Sequence, residues 1–291
     1  MSHPSPKNAR VVSGVSIGAV VAGATLLGGW IWTLLLVFVF YPIAYKEMLS
    51  LMAAKDIHPS RVTATLFSIL FYVFAFLGWE RHFQVIVTMG IIFTFAWLLF
   101  RKTPASICDI GGTILMFFYL GFLPAHFIVL RQIGSHVTSN FLLQPGLRYL
   151  FLILFIVSAS DVLAYYAGKR FGKNLLSPQI SPKKTIEGAA AGALFAIIIA
   201  IFASILFGFP WVHGAILGVI IAFIAQIGDL SESLLKRDAG IKDSGNVFPG
   251  HGGILDRTDS YIFSGAVGYY YILWFVLHQG IAKEIMEFLH R

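Results

Sequence analysis

Apolar runs close to membrane-crossing length, separated by short polar breaks, repeat along almost the whole of this chain. They fall at Val11–Gly29, Trp30–Tyr45, Val62–Trp79, Gln84–Phe100, Ser106–Leu130, Leu147–Gly168, Ile186–Phe207, Trp211–Leu235 and Thr258–Gln279. Each approaches the roughly 20 residues that a helix needs to cross a bilayer core. The pattern predicts an all-α, polytopic integral membrane protein with about nine transmembrane helices. Pro124 interrupts the fifth run and should kink it or make it partly re-entrant. The first run includes Ala22-Gly23-Ala24, which resembles a secretory cleavage site. Apolar sequence nevertheless continues to Tyr45, so the run reads as a first membrane helix.

Composition supports this picture. Of 291 residues, 57% are hydrophobic and only 12% charged, more apolar surface than a soluble domain could hide. With nine spans, 16 of the 21 lysines and arginines fall on the side of the N-terminus. The positive-inside rule then places the N-terminus and the loops Lys169–Thr185 and Lys236–Arg257 in the cytoplasm, with the C-terminus outside. No loop is long enough to bury a core of its own. The chain therefore divides into N-terminal scaffold helices, residues 1–145, and C-terminal helices bearing the two loops, residues 146–291. The formal net charge of +7 suits anionic partners such as lipid headgroups or phosphorylated substrates. Nucleic acid is a poor fit, because the basic residues sit in short loops and form no continuous patch. Cys108 is the single cysteine, which excludes an internal disulfide.

Charge concentrates in Ala225–Ser260. Gln226, Asp229, Ser233, Lys236 and Arg237 share one helical face. A polar stripe at membrane depth is costly unless it meets a partner or a water-filled cavity. Asp161, with Ser158 and Tyr165 on its face, is a second polar site inside an apolar run. Ser181-Pro182 predicts an N-cap and first helical position. That would put Lys183 and Lys184 in the first turn, where the helix dipole disfavours cations and a bound phosphate would resolve the conflict. Lysines snorkelling to anionic lipid are the alternative. Asp229 and Glu232 close one span, Asp256 and Asp259 open the next, and Asp259 reads as a cap. Asp161, Asp229 and Asp256 could converge at the cytoplasmic face, an arrangement suited to Mg²⁺ with a polyphosphate. Between them, Gly250, Gly252 and Gly253 surround His251 and let backbone N–H groups approach an anion. Asp109 lies outside these stretches and reads as a carboxylate with no part in the chemistry.

The run SLLKRDAGIKDSGNVFPGHGGILDRTD, Ser233–Asp259, resembles the signature of the phosphatidate cytidylyltransferases: S-x-x-K-R, K-D-S/A-G, P-G-H-G-G and D-R-x-D in order. D-x-x-A-Y-x-x-G-K at Asp161–Lys169 and S-P-K-K-T-x-E-G at Ser181–Gly188 also match. The first five spans match only in being hydrophobic. The resemblance implies a homodimeric membrane enzyme, its dimer contacts in the N-terminal helices, that joins CTP and phosphatidate to give CDP-diacylglycerol and pyrophosphate. It implies catalytic roles for Asp229, Asp256, Lys236 and Arg237. The same two aspartates would hold Mg²⁺, alone or with a second cation. Substrate contacts are implied for Asp161, Lys183, Lys184, Lys242, Asp243, His251, Gly252, Gly253 and Arg257. The setting would be bilayer lipid of a bacterial inner membrane, with the active site facing the cytoplasm. A CTP-dependent polyprenol or phytol kinase is the nearest alternative, and a transporter the alternative of another class. Pyrophosphate rather than CDP as product separates the first pair, and substrate-dependent pyrophosphate release excludes the transporter.

Overall fold

The computed structural model describes residues 23, 29–135, 140, 144–245 and 252–277. Helices occupy the eight predicted spans that fall within them; the first span, Val11–Gly29, lies almost wholly outside the described residues. In chain order they are α1 Gly29–Ala53, α2 Arg61–Phe76, α3 Phe83–Leu99 and α4 Ile107–Gln132. Then follow α5 Pro145–Phe171, α6 Ile186–Leu206, α7 Trp211–Asp238 and α8 Leu255–Tyr271. Six of these helices are long and apolar enough to cross a membrane, with α2 shorter at 16 residues. Leu194, Ile198, Phe202 and Ile205 on α6, and Val219 and Phe223 on α7, remain exposed. Water would penalise such faces, whereas acyl chains would not. The chain is a helical integral membrane protein.

At the Pro124 break the helix widens into a π-helical turn over Phe118–Phe122, and Pro124 sits at the start of the segment Leu123–Gln132. Pro124 has no N–H to offer the Leu120 carbonyl four residues earlier, which accepts from the Tyr72 hydroxyl, and Gly121 packs on the Ser68 backbone. One local expectation is corrected: Ser181 is not an N-cap. Ser181–Thr185 is a β-strand, β2, paired antiparallel with β1 Leu175–Ser177 through Leu175↔Thr185 and Ser177↔Ser181. This hairpin is the one departure from all-α structure among the described residues. Thr185 caps α6, its hydroxyl accepting from Gly188 N at 3.2 Å.

The chain forms two compact units. One comprises Met1–Leu147 and Leu234–Thr258, so the K-R and H-G-G-bearing stretch groups with the N-terminal helices. Its core is aromatic, with Phe71 in edge contact with Phe83 and Phe122. The other comprises Arg148–Ser233 and Asp259–Arg291. Here helices approach closely through small residues, as membrane helices do. A Cβ on Gly192 of α6 would lie 2.6 Å from the Ser160 carbonyl of α5, and one on Gly228 of α7 would lie 2.4 Å from the Asp259 carbonyl of α8.

Asp109 has a structural task. It closes a capping box with Ser106, with both bonds at 3.0 Å, and accepts from His58 N at 2.6 Å. Asp109→Ala would leave these part-buried amides without their acceptor and should cost roughly 1–2 kcal/mol. It should lower the melting midpoint in detergent, while Asp56→Asn, at a side chain 98% exposed, leaves it unchanged.

Candidate active site

In the second unit, four elements each deliver one charged group. Asp161 comes from α5, Lys184 from the end of β2, Asp229 from α7 and Asp259 from α8. The Gly228 contact brings the Asp229 and Asp259 backbones together. Lys184 Nζ forms an ion pair with Asp229 Oδ2. Lys184 therefore meets a carboxylate from a strand, not an anion from a first helical turn. Lys183 is exposed. Asp161 interacts electrostatically with Asp229 and Lys184 and accepts from Ser260. Asp259 is not the cap expected; it is buried within α8, accepts from Ser260 N at 2.7 Å, and senses Asp229, Glu232 and Asp161. Tyr165 is 63% exposed, while Ser158 bonds the Tyr261 hydroxyl at 2.9 Å.

The hairpin carrying Lys184 is tied down by a residue that the sequence reading passed over. The Glu187 carboxylate accepts from Lys173 N, Asn174 N and Asn174 Nδ2, the last at 2.7 Å. An acidic residue in the first turn after a threonine cap was the available signal.

In the first unit the centre is Asp256. Its Oδ1 accepts from Lys236 Nζ at 2.5 Å. Its Oδ2 accepts from Ser244 N and Ser244 Oγ, both at 2.9 Å, and from Gly253 N at 2.8 Å. Burial by itself would raise the carboxyl pKa, but Lys236 and these donors hold it below its ordinary value. Gly252 has φ +79°, and a Cβ there would lie 2.5 Å from Asp256 Oδ2. Its place in the motif is thus conformational. Arg237, Lys242, Asp243 and Arg257 are exposed, and Arg237 Nη1 donates to the Ile241 carbonyl at 3.2 Å. His251 lies outside the described residues.

Against known proteins, the cytidylyltransferase family matches residues 8–275. This chain belongs to the cytidylyltransferase family. It is 34% identical over 283 residues to the phosphatidate cytidylyltransferase of Synechocystis sp., spanning 91% of this chain and 96% of that protein. It is 28% identical to the Bacillus subtilis phosphatidate cytidylyltransferase, covering 87% and 93% of the two chains. The chloroplastic phosphatidate cytidylyltransferase 5 of Arabidopsis thaliana is 34% identical, over 90% of this chain and 71% of that one. Family membership therefore extends into the N-terminal helices, well beyond the motifs.

The metal that the family resemblance implies can be tested against these donors. Asp161, Asp229 and Asp259 offer hard oxygen ligands in one unit, which suits Mg²⁺. Among the described residues no three His, Cys, Asp or Glu side chains are arranged to hold a metal by themselves. Mg²⁺ does not require that, because one or two carboxylates plus substrate phosphates suffice. Asp256 already accepts four hydrogen bonds, about the capacity of a carboxylate. It fits a cation only by releasing Lys236.

Lys236 and Asp256 have side chains only 11% and 10% exposed. Removing one partner of such a buried pair strands the other and typically costs about 3–5 kcal/mol. Lys236→Met should lower the melting midpoint sharply, and Lys236→Met/Asp256→Asn, which keeps an acceptor oxygen for the Ser244 and Gly253 donors, should lose less than the sum of the two single losses while remaining inactive. Full additivity of the two single losses would contradict the pairing.

Proposed function

We propose that this chain is a phosphatidate cytidylyltransferase, condensing CTP with phosphatidate to CDP-diacylglycerol and pyrophosphate. The observation that carries this reading is the 34% identity to a phosphatidate cytidylyltransferase across nearly the full length of both chains. The charged residues gathered at the motif positions supply a fitting chemistry.

Phosphatidate bears a phosphate monoester with a second pKa near 6, by analogy with phosphorylated side chains, so it is largely dianionic at neutral pH. One of its oxygens can attack the α-phosphorus of CTP without a general base. The new bond joins that oxygen to the α-phosphorus. The bond from the α-phosphorus to the bridging oxygen breaks, and pyrophosphate leaves with the electron pair. Two anions must be brought together, and charge must be balanced on the leaving group. Lys184 and Lys236, held ready beside Asp229 and Asp256, turn to substrate phosphates on binding. Lys183, Arg237, Lys242 and Arg257 are exposed cations that would contact the triphosphate or the lipid headgroup. Asp229 and Asp256 would hold Mg²⁺, which when bound polarises phosphoryl oxygens and neutralises the triphosphate. The nine-span topology places the N-terminus in the cytoplasm, where CTP is, and the membrane is a bacterial inner membrane. The working form is a homodimer.

Purified protein given CTP, Mg²⁺ and phosphatidate should release pyrophosphate in step with lipid product. Asp229→Asn and Asp256→Asn should each lower kcat by on the order of a hundredfold, comparable to losing one well-placed electrostatic group. Asp56→Asn should retain activity, and normal turnover in either of the first two variants would refute their assignment. For topology, a C-terminal alkaline phosphatase fusion should be active and a C-terminal fluorescent protein fusion dark. The opposite pattern would overturn the nine-span arrangement.

A further inference from the structure

The first unit contains a buried carboxylate that no motif includes. Glu47 lies in α1 and is 5% exposed. Its Oε1 accepts from Ile254 N at 2.9 Å and its Oε2 from Leu255 N at 2.9 Å, with the Ser244 hydroxyl, which donates to the nearer Asp256, 3.2 Å from Oε2. Ile254 N is 207 residues away in sequence.

The reason for this contact lies in the start of α8. The first N–H groups of a helix have no partner within it. A serine, threonine, asparagine or aspartate at the N-cap usually supplies one, yet Gly253, Ile254 and Leu255 carry no side-chain oxygen. All three residues are buried, so water does not supply one either. Two carboxylates do. Asp256 takes Gly253 N, and Glu47 takes the next two amides. The negative charge of Glu47 also sits at the positive end of the α8 dipole.

Glycines at two motif positions make room for it. A Cβ on Gly245, in the K-D-S-G element, would lie 2.5 Å from Glu47 Oε1. One on Gly253, in the H-G-G element, would lie 2.4 Å from the same oxygen. The Ser244 hydroxyl lies within hydrogen-bond distance of both Glu47 and Asp256. Two motif segments thus meet on one carboxylate from α1, and both frame Asp256.

We propose that Glu47 is a positioning residue for Asp256, fixing the start of α8 and the Ser244 turn so that the Asp256 carboxylate keeps one orientation. The importance of that orientation for turnover rests on the cytidylyltransferase reading; the anchoring itself does not. Glu47→Gln keeps the size but sets an amide donor against the N–H groups of Ile254 or Leu255. Backbone amide exchange at 253–256 should accelerate while exchange in the α2 core stays slow. With kcat expressed per folded protein, it should fall about a hundredfold, as for a misplaced reacting group, with KM for CTP and phosphatidate changed little. Glu47→Asp, which keeps the charge on a shorter arm, should lie between Glu47→Gln and the native chain in both readouts. If Glu47→Gln does not fold, Glu47→Asp bears the test with the same two measurements. Native exchange at 253–256 in the folded variant, or native kcat, overturns the proposal. If the native protein forms no CDP-diacylglycerol, the catalytic reading fails, while the exchange experiment still decides whether Glu47 anchors α8.

Discussion

A charge buried inside a helical protein must be matched where it stands, because the protein interior offers no solvation in return. The Asp256 carboxylate shows the consequence most fully. Lys236, two donors from Ser244 and the Gly253 amide all converge on it. Much of the surrounding sequence follows from that requirement. Gly252 adopts a left-handed conformation beside it, Gly253 lacks a side chain that would press on Ser244 and Glu47, and Glu47 takes the amides that Asp256 does not. Asp229 meets the same constraint through Lys184, against the repulsion of the neighbouring Asp161 and Asp259 carboxylates.

These two arrangements suit an enzyme that handles phosphates on both substrates. A lysine paired with a carboxylate is neutral overall and stable in the absence of substrate. It can exchange its partner for a phosphate when one arrives, while the carboxylate becomes available to a cation. Such a protein has little use for a nucleophile and base, since the attacking phosphate is already ionised. Positioning and electrostatics are then what the fold has to provide.

The helices were legible because apolar runs of near-spanning length report directly on burial in lipid. The Ser233–Asp259 motifs were legible because their residues lie close in sequence and occur in a fixed order. What escaped was tertiary. Glu47 reads as one carboxylate in an apolar run, and nothing local links it to a turn some two hundred residues later. Asp109 looked idle because its partner His58 N lies 51 positions away. The hairpin was mistaken for a helical turn because Ser181-Pro182 is a sound helix-start signal. Pairing of Thr185 with Leu175 across the turn overrides it and moves the cap by four residues. The grouping of Leu234–Thr258 with the N-terminal helices was likewise invisible, since it depends on contacts and not on order along the chain.

The central claim is that the α-phosphorus of CTP is transferred to phosphatidate. Purified protein should be incubated with phosphatidate, Mg²⁺ and CTP labelled with ³²P at either the α or the γ position. The account requires α label to enter the lipid fraction and γ label to appear in pyrophosphate. Gamma label in the lipid would show phosphoryl transfer of the kinase type and contradict it, as would the absence of label in lipid from either substrate.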